Sequence, residues 1–199
     1  MSEKFKNKYR NESIRLRNWD YRRAGAYFIT ICTANREHYF GEIENGKMKL
    51  SHLGVIADIF WHEIPARKPF VKLGEFVIMP NHIHGILIID DYDAQTDVVF
   101  PVGTLRATSP QEKSSLQENP IQKNDTMSNI SPKSNSISTL IRSYKSAVTK
   151  HGNRLGIPNG WQSRFYDYII RDDAVFERIS NYIKNNPVNW KEDKFFESE

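Results

Sequence analysis

Residues 76–90 read Phe-Val-Ile-Met-Pro-Asn-His-Ile-His-Gly-Ile-Leu-Ile-Ile-Asp, an apolar run broken only by Pro80-Asn81 and two histidines. Strands are expected on either side of the break, over 71–79 and 82–89, and the close spacing across Pro80-Asn81 pairs them as antiparallel neighbours. A strand turns alternate side chains to opposite faces, so His82 and His84 share one face, half-exposed, while Ile83 points into the core. Neutral imidazole is a common metal ligand, and two of them on a rigid strand lack only a third ligand and open positions for a substrate oxygen. A His-x-His pair is short, and two ordinary histidines near a strand end read the same way.

The pattern around this hairpin predicts the rest of a small α+β domain. Residues 26–33 are β-branched and aromatic, and Glu44-Asn45-Gly46-Lys47 carries the Asn-Gly signal of a tight hairpin. From Ser51 a helical period sets Leu53, Ile56, Ile59, Phe60 and Ile64 on one stripe until Pro65 stops it. A second helix is expected from Ser136 or Ser138 to about Lys150, with Ile137, Leu140, Ile141, Tyr144 and Val148 toward the core. Residues 161–171 form a short strand or extended stretch. The last helix opens at Asp172 or Asp173, runs to about Asn185 and stops before Pro187.

A chain of 199 residues holds one substantial core, here placed over 26–190. A basic arm over 1–25 precedes it and an acidic, loose tail over 191–199 follows. Between 91 and 136 the composition falls to Ser, Gln, Asn, Thr and Pro, read as a largely disordered insertion. No apolar run is long enough for a bilayer, and no apolar signal segment follows the charged start, so a cytoplasmic, nucleoid-associated protein with no membrane partner is expected. Cys32 is the single cysteine, which excludes a disulfide or a cysteine-based zinc site within one chain.

The net charge of +4 is unevenly spread. Residues 1–25 hold eight Lys/Arg against three Asp/Glu, and residues 141–171 hold six against one. Two basic segments flanking a candidate metal site point to a polyanion such as nucleic acid. Arg22 and Arg23, beside Trp19 and Tyr21 in the arm, and Arg142, Lys145, Arg164 and Arg178 are the candidate phosphate contacts.

On the last helix Val175, Phe176, Ile179 and Ile183 form the buried stripe, while Arg178, Tyr182 and Asn186 recur every four residues on an adjoining face. Tyr182 and Asn186 then lie side by side, a phenol nucleophile and a third, oxygen-donating ligand for the His82–His84 face. A phenol with a pKa of about 10 attacks poorly at neutral pH without a metal or base to assist. A divalent ion on a scissile phosphate answers that need. Tyr144, Tyr166 and Tyr168 are rival nucleophiles, but none has a ligand-type residue four positions later on a well-supported helix. His38, His52, His62 and His151 lack a paired partner and are read as surface residues.

His82-Ile83-His84 resembles the HUH motif, and residues 182–188, Tyr-Ile-Lys-Asn-Asn-Pro-Val, resemble the tyrosine helix of the single-tyrosine HUH transposases of insertion-sequence type. The likeness is closest to the REP-associated tyrosine transposases. It spans about 20–90 and 137–190, and takes in the approach Val77-Ile78-Met79-Pro80-Asn81, the 161–166 segment and the Asn186-Pro187-Val188 ending. The resemblance implies a ferredoxin-like, RRM-like sandwich, an antiparallel sheet with helices packed on it. It implies that His82, His84 and Asn186 bind Mg²⁺ or Mn²⁺. Tyr182 would form a 5′-phosphotyrosyl bond with single-stranded or hairpin DNA and leave a free 3′-OH, in a monomer or homodimer. The insertion at 91–136 departs from the compact family pattern. A non-cleaving hairpin DNA or RNA binder on the same fold, and a rolling-circle initiator or relaxase, are the alternatives.

Overall fold

The computed structural model describes residues 19–90 and 135–196. The expected basic arm up to residue 18, the insertion at 91–134 and the last three residues of the tail lie outside the described residues.

The order of elements is the expected one. Strand β1 (Gly25–Cys32) leads to a hairpin of β2 (Gly41–Glu44) and β3 (Lys47–Leu50), then to helix α1 (His52–His62) and a single turn α2 (Ile64–Arg67). Strands β4 (Val71–Met79) and β5 (His82–Ile89) follow, then α3 (Ile137–Arg154), β6 (Tyr166–Ile170) and α4 (Asp173–Asn185). The sheet runs β4-β5-β1-β6, antiparallel throughout, with the β2–β3 ribbon beside it. Counting the four sheet strands in chain order, this is 2-3-1-4, with α1 and α3 as the crossovers: the ferredoxin-like α+β sandwich.

Side-chain alternation divides the sheet into two faces. Tyr27, Ile29 and Ile31 of β1, Ile83 and Leu87 of β5 and Ile78 of β4 join Leu53, Ala57 and Trp61 of α1 and Ile137, Ile141, Tyr144 and Val148 of α3 in the main core. Gly85 lies on that face because Trp61 fills its place: a Cβ there would stand 2.3 Å from Trp61 Cζ2. The other face carries Phe28, Ile86 and Ile170 under Val175, Phe176, Ile179 and Ile183 of α4.

The α1 stripe differs from expectation. Leu53, Gly54, Ala57 and Trp61 are buried, whereas Ile59 is 49% exposed. Trp61, absent from the expected stripe, stacks on Phe76 at 4.7 Å and meets Tyr144 edge-on. The Asn45-Gly46 turn forms as read, with φ of 51° and 71°, the left-handed pair that a two-residue hairpin needs. α4 begins where Asp172 accepts a hydrogen bond from the Val175 amide at 2.8 Å.

Candidate metal and tyrosine site

Met79 and His82 close the β4–β5 turn as a cross-strand pair. His82 and His84 share one face, with rings 4.5 Å apart. They are not half-exposed: both are fully buried, at 0% and 1%. The cover comes from Trp190, at the end of the expected domain, and from Phe195 in the 191–199 segment expected to be a loose tail. Trp190 and Phe195 are buried, and the Phe195 ring lies 4.5 Å from that of His82. Arg36 Cζ and Lys194 Nζ lie over the Phe195 ring, 4.5 and 4.7 Å from its centroid.

Hydrogen bonds settle how the two imidazoles are presented. Asn81 is buried, and its Nδ2 donates to the Phe195 carbonyl at 2.8 Å, which fixes the amide so that Oδ1 faces His82 Nδ1 at 2.9 Å. An amide oxygen only accepts, so His82 carries its proton on Nδ1 and leaves a lone pair on Nε2. That Nε2 is buried without a hydrogen-bond partner. An orphaned buried lone pair on an imidazole is what a metal ligand looks like when its partner nitrogen is anchored. His84 Nδ1 meets Thr30 Oγ1 at 2.9 Å, and its Nε2 meets the Tyr182 hydroxyl at 3.2 Å.

Tyr182 projects from α4 over this pair. Its hydroxyl donates to Asp193 Oδ2 at 3.2 Å, and Asn186 Nδ2 donates to the same oxygen at 3.1 Å. Asn186 caps α4, is buried, and keeps Oδ1 without a partner. Asp193, which sequence reasoning placed in the tail, brings a carboxylate oxygen to the histidines: donor atoms of His82, His84 and Asp193 lie within 4.8 Å of one another. Two imidazole nitrogens and a carboxylate oxygen form a donor set suited to a divalent ion.

Burial keeps both imidazoles neutral and the Tyr182 phenol protonated. It lowers the His82 pKa to about 3, aided by the positive charges of Arg36 and Lys194, and it lowers His84 well below the usual value, so both stay neutral and able to donate a lone pair. Burial and the adjacent Asp193 charge push Tyr182 up to about 12, so its phenol is protonated at neutral pH. Tyr144 is excluded as a nucleophile by placement, since it is buried in the main core with its hydroxyl donating to the Ala57 carbonyl at 2.9 Å.

Three of the basic candidates meet in a groove of about 680 Å³ beside the histidines, where Arg142, Lys145 and Arg164 join Thr30, Tyr166 and Phe195. Lys145 Nζ donates to the carbonyls of Gln162 and Arg164 at 2.8 and 3.1 Å, and burial lowers its pKa to about 8. Arg22 and Arg23 lie before β1, at the opposite end of that strand from the histidines, with Arg22 paired to Asp20 at 2.6 Å and Arg23 over the Trp19 ring at 5.5 Å. Arg178 is exposed on α4, one turn before Tyr182. His38, His52 and His62 are exposed as expected, while His151 is half-buried against Phe60.

Sequence reasoning missed Asp193, Asn81 and Thr30. The signal for Asp193 was Phe195-Phe196, an apolar pair too costly to leave in water at the end of a charged stretch.

No family model matches the chain. Among solved structures it overlays one described as a REP-associated tyrosine transposase bound to a REP hairpin, with a TM-score of 0.51 at 16% identity over 92% of this chain and 74% of that one. An uncharacterized protein of Haemophilus influenzae is 36% identical over 190 residues, 94% of each chain. This chain therefore belongs to the family of that Haemophilus influenzae protein, on a fold shared with a REP-associated tyrosine transposase.

Proposed function

We propose that this protein is a metal-dependent single-stranded DNA transesterase that cleaves and rejoins strands at hairpin-flanked sites through a 5′-phosphotyrosine intermediate. One observation carries the reading: a tyrosine hydroxyl stands 3.2 Å from the Nε2 of one imidazole, next to a second imidazole whose buried Nε2 has no partner. The shared fold with a hairpin-bound transposase and the basic groove beside the histidines support the choice of substrate.

His82, His84, Asn186 and Asp193 would hold Mg²⁺ or Mn²⁺. The ion, when bound, would withdraw charge from a non-bridging phosphate oxygen and fix the phosphorus in place. Tyr182 Oη attacks that phosphorus, and its proton passes to Asp193, the acceptor it already bonds. The bond from phosphorus to the 3′ oxygen breaks, and a proton on that oxygen gives the free 3′-OH. Because the phosphotyrosine keeps the bond energy, a second 3′-OH rejoins the strand by the reverse attack, with no nucleotide cofactor.

The burial of both imidazoles under Phe195 favours a second reading, a hairpin-binding protein that does not cleave. Under the first reading a phosphate reaches the histidines only when Phe195 moves aside. Incubation of the protein with a labelled hairpin-flanked single strand and Mn²⁺ separates the two. Cleavage by the wild type that is lost in His84→Ala supports the enzyme; cleavage that persists in His84→Ala removes the metal site, and no cleavage at all favours the binder.

A further inference from the structure

Tyr166 and Tyr168 are two large rings left half-exposed on the edge strand of the sheet, with Lys194 Nζ over the Tyr166 ring at 6.0 Å. They are two apart on β6, hence on one face and about 7 Å from each other. They are 40% and 41% exposed on the face that carries the histidines. Phe28 continues the row, with ring centroids 6.3 Å from Tyr166 and 6.3 Å from Tyr182. Toward the other end Tyr166 enters the groove that contains Arg142, Lys145 and Arg164.

The groove exists because of how β6 leaves β1. The two strands pair only from Ala26 to Thr30. The chain meets β1 again where the Gln162 amide donates to the Cys32 carbonyl at 3.0 Å, and residues 163–165 lie between the two contacts. The groove forms a notch at this gap in the pairing, lined by Arg142 and Lys145 of α3 together with Thr30 and Cys32 of β1. Thr30 lines the notch and also holds His84, so the notch and the metal site share a wall.

We propose that this edge is the track for the unpaired strand next to the scissile phosphate: Tyr166 and Tyr168 stack on two successive bases, and Arg142 and Arg164 in the notch take the phosphates. Lys145 is a positioning residue that holds the outer wall through the carbonyls of Gln162 and Arg164. Aromatic rings spaced along a strand beside a cationic groove are the general solution for binding single strands without reading their sequence, since every base offers a π-face. The proposal rests on the transesterase reading for its substrate, yet binding alone tests it.

The test compares a blunt DNA hairpin with the same hairpin carrying a single-stranded oligo-dT extension that contains 2-aminopurine, using full-length Tyr182→Phe in EDTA. The extension should raise affinity at least about tenfold and quench the 2-aminopurine on stacking. The pair Tyr166→Ala/Tyr168→Ala should lose both effects while binding the blunt hairpin normally, and Tyr166→Phe/Tyr168→Phe should keep both. Arg142→Gln/Arg164→Gln should flatten the salt dependence of the gain by about 1.4 in logarithmic slope. No gain from the extension, or an undiminished gain in the alanine pair, overturns the track. If wild type does not cleave but the alanine pair loses the gain, the track stands and the enzyme reading falls. If wild type cleaves and the alanine pair keeps its gain, the enzyme reading stands and the track falls.

Discussion

Asn81 shows how much one side chain does in this site. Its amide nitrogen fastens Phe195, its amide oxygen fixes the proton of His82, and its backbone carbonyl accepts from the amide and hydroxyl of Thr33, both at 2.9 Å. Replacing it by alanine removes no proposed ligand, yet frees the ring of His82 to rotate and exchange tautomers. Asn81→Ala should therefore weaken Mn²⁺ binding about 10- to 100-fold in calorimetric titration. Unchanged affinity would mean that His82 is not a ligand. The same ring supplies a pH test of the metal-free fold. A buried neutral imidazole with its pKa lowered to about 3 binds fewer protons folded than unfolded between that value and about 6.5. Stability then rises with pH across this window and is lost progressively as the pH falls through it. His82→Gln, which cannot titrate, should remove about 1.4 kcal/mol per pH unit from that slope in denaturant melts at pH 4–6. An unaltered slope would place His82 in contact with water.

At the scale of elements, Trp61 and Gly85 fix the distance between α1 and the sheet. A branched side chain at 85 meets an indole already packed between Phe76 and Tyr144, with no flexible neighbour to yield. Gly85→Val should cost roughly 2–3 kcal/mol in urea unfolding, the scale of an overpacked core. A neutral effect would show that Trp61 has another place to go. The strands and the last helix were legible in the sequence because alternation, the Asn-Gly turn and the Asp172 cap are local signals that tertiary contacts did not override. The α1 stripe was misread at Ile59 because α1 packs on small residues, Gly54 and Ala57, which carry almost no hydrophobic signal. The candidate site was partly legible for a different reason. His82, His84, Tyr182 and Asn186 sit at spacings that define a face, whereas Asp193 arrives from a coil segment with no period to read.

The described residues form a ferredoxin-like sandwich, one face of its sheet covered by α1 and α3 and the other in part by α4 and the segment around Asp193 and Phe195. The second closure brings a tyrosine from α4 to histidines on β5, 98 residues earlier in the chain. Whether that tyrosine bonds to DNA decides between an enzyme and a binding protein. The direct measurement uses a hairpin-flanked single strand labelled on both sides of the cleavage point, incubated with Mn²⁺ and denatured. The downstream label is predicted to migrate with the wild-type protein and with neither Tyr182→Phe nor His84→Ala, while the upstream fragment runs free with a 3′-OH. An adduct that persists in Tyr182→Phe and disappears in Tyr166→Phe or Tyr168→Phe would contradict the assignment of the nucleophile to α4.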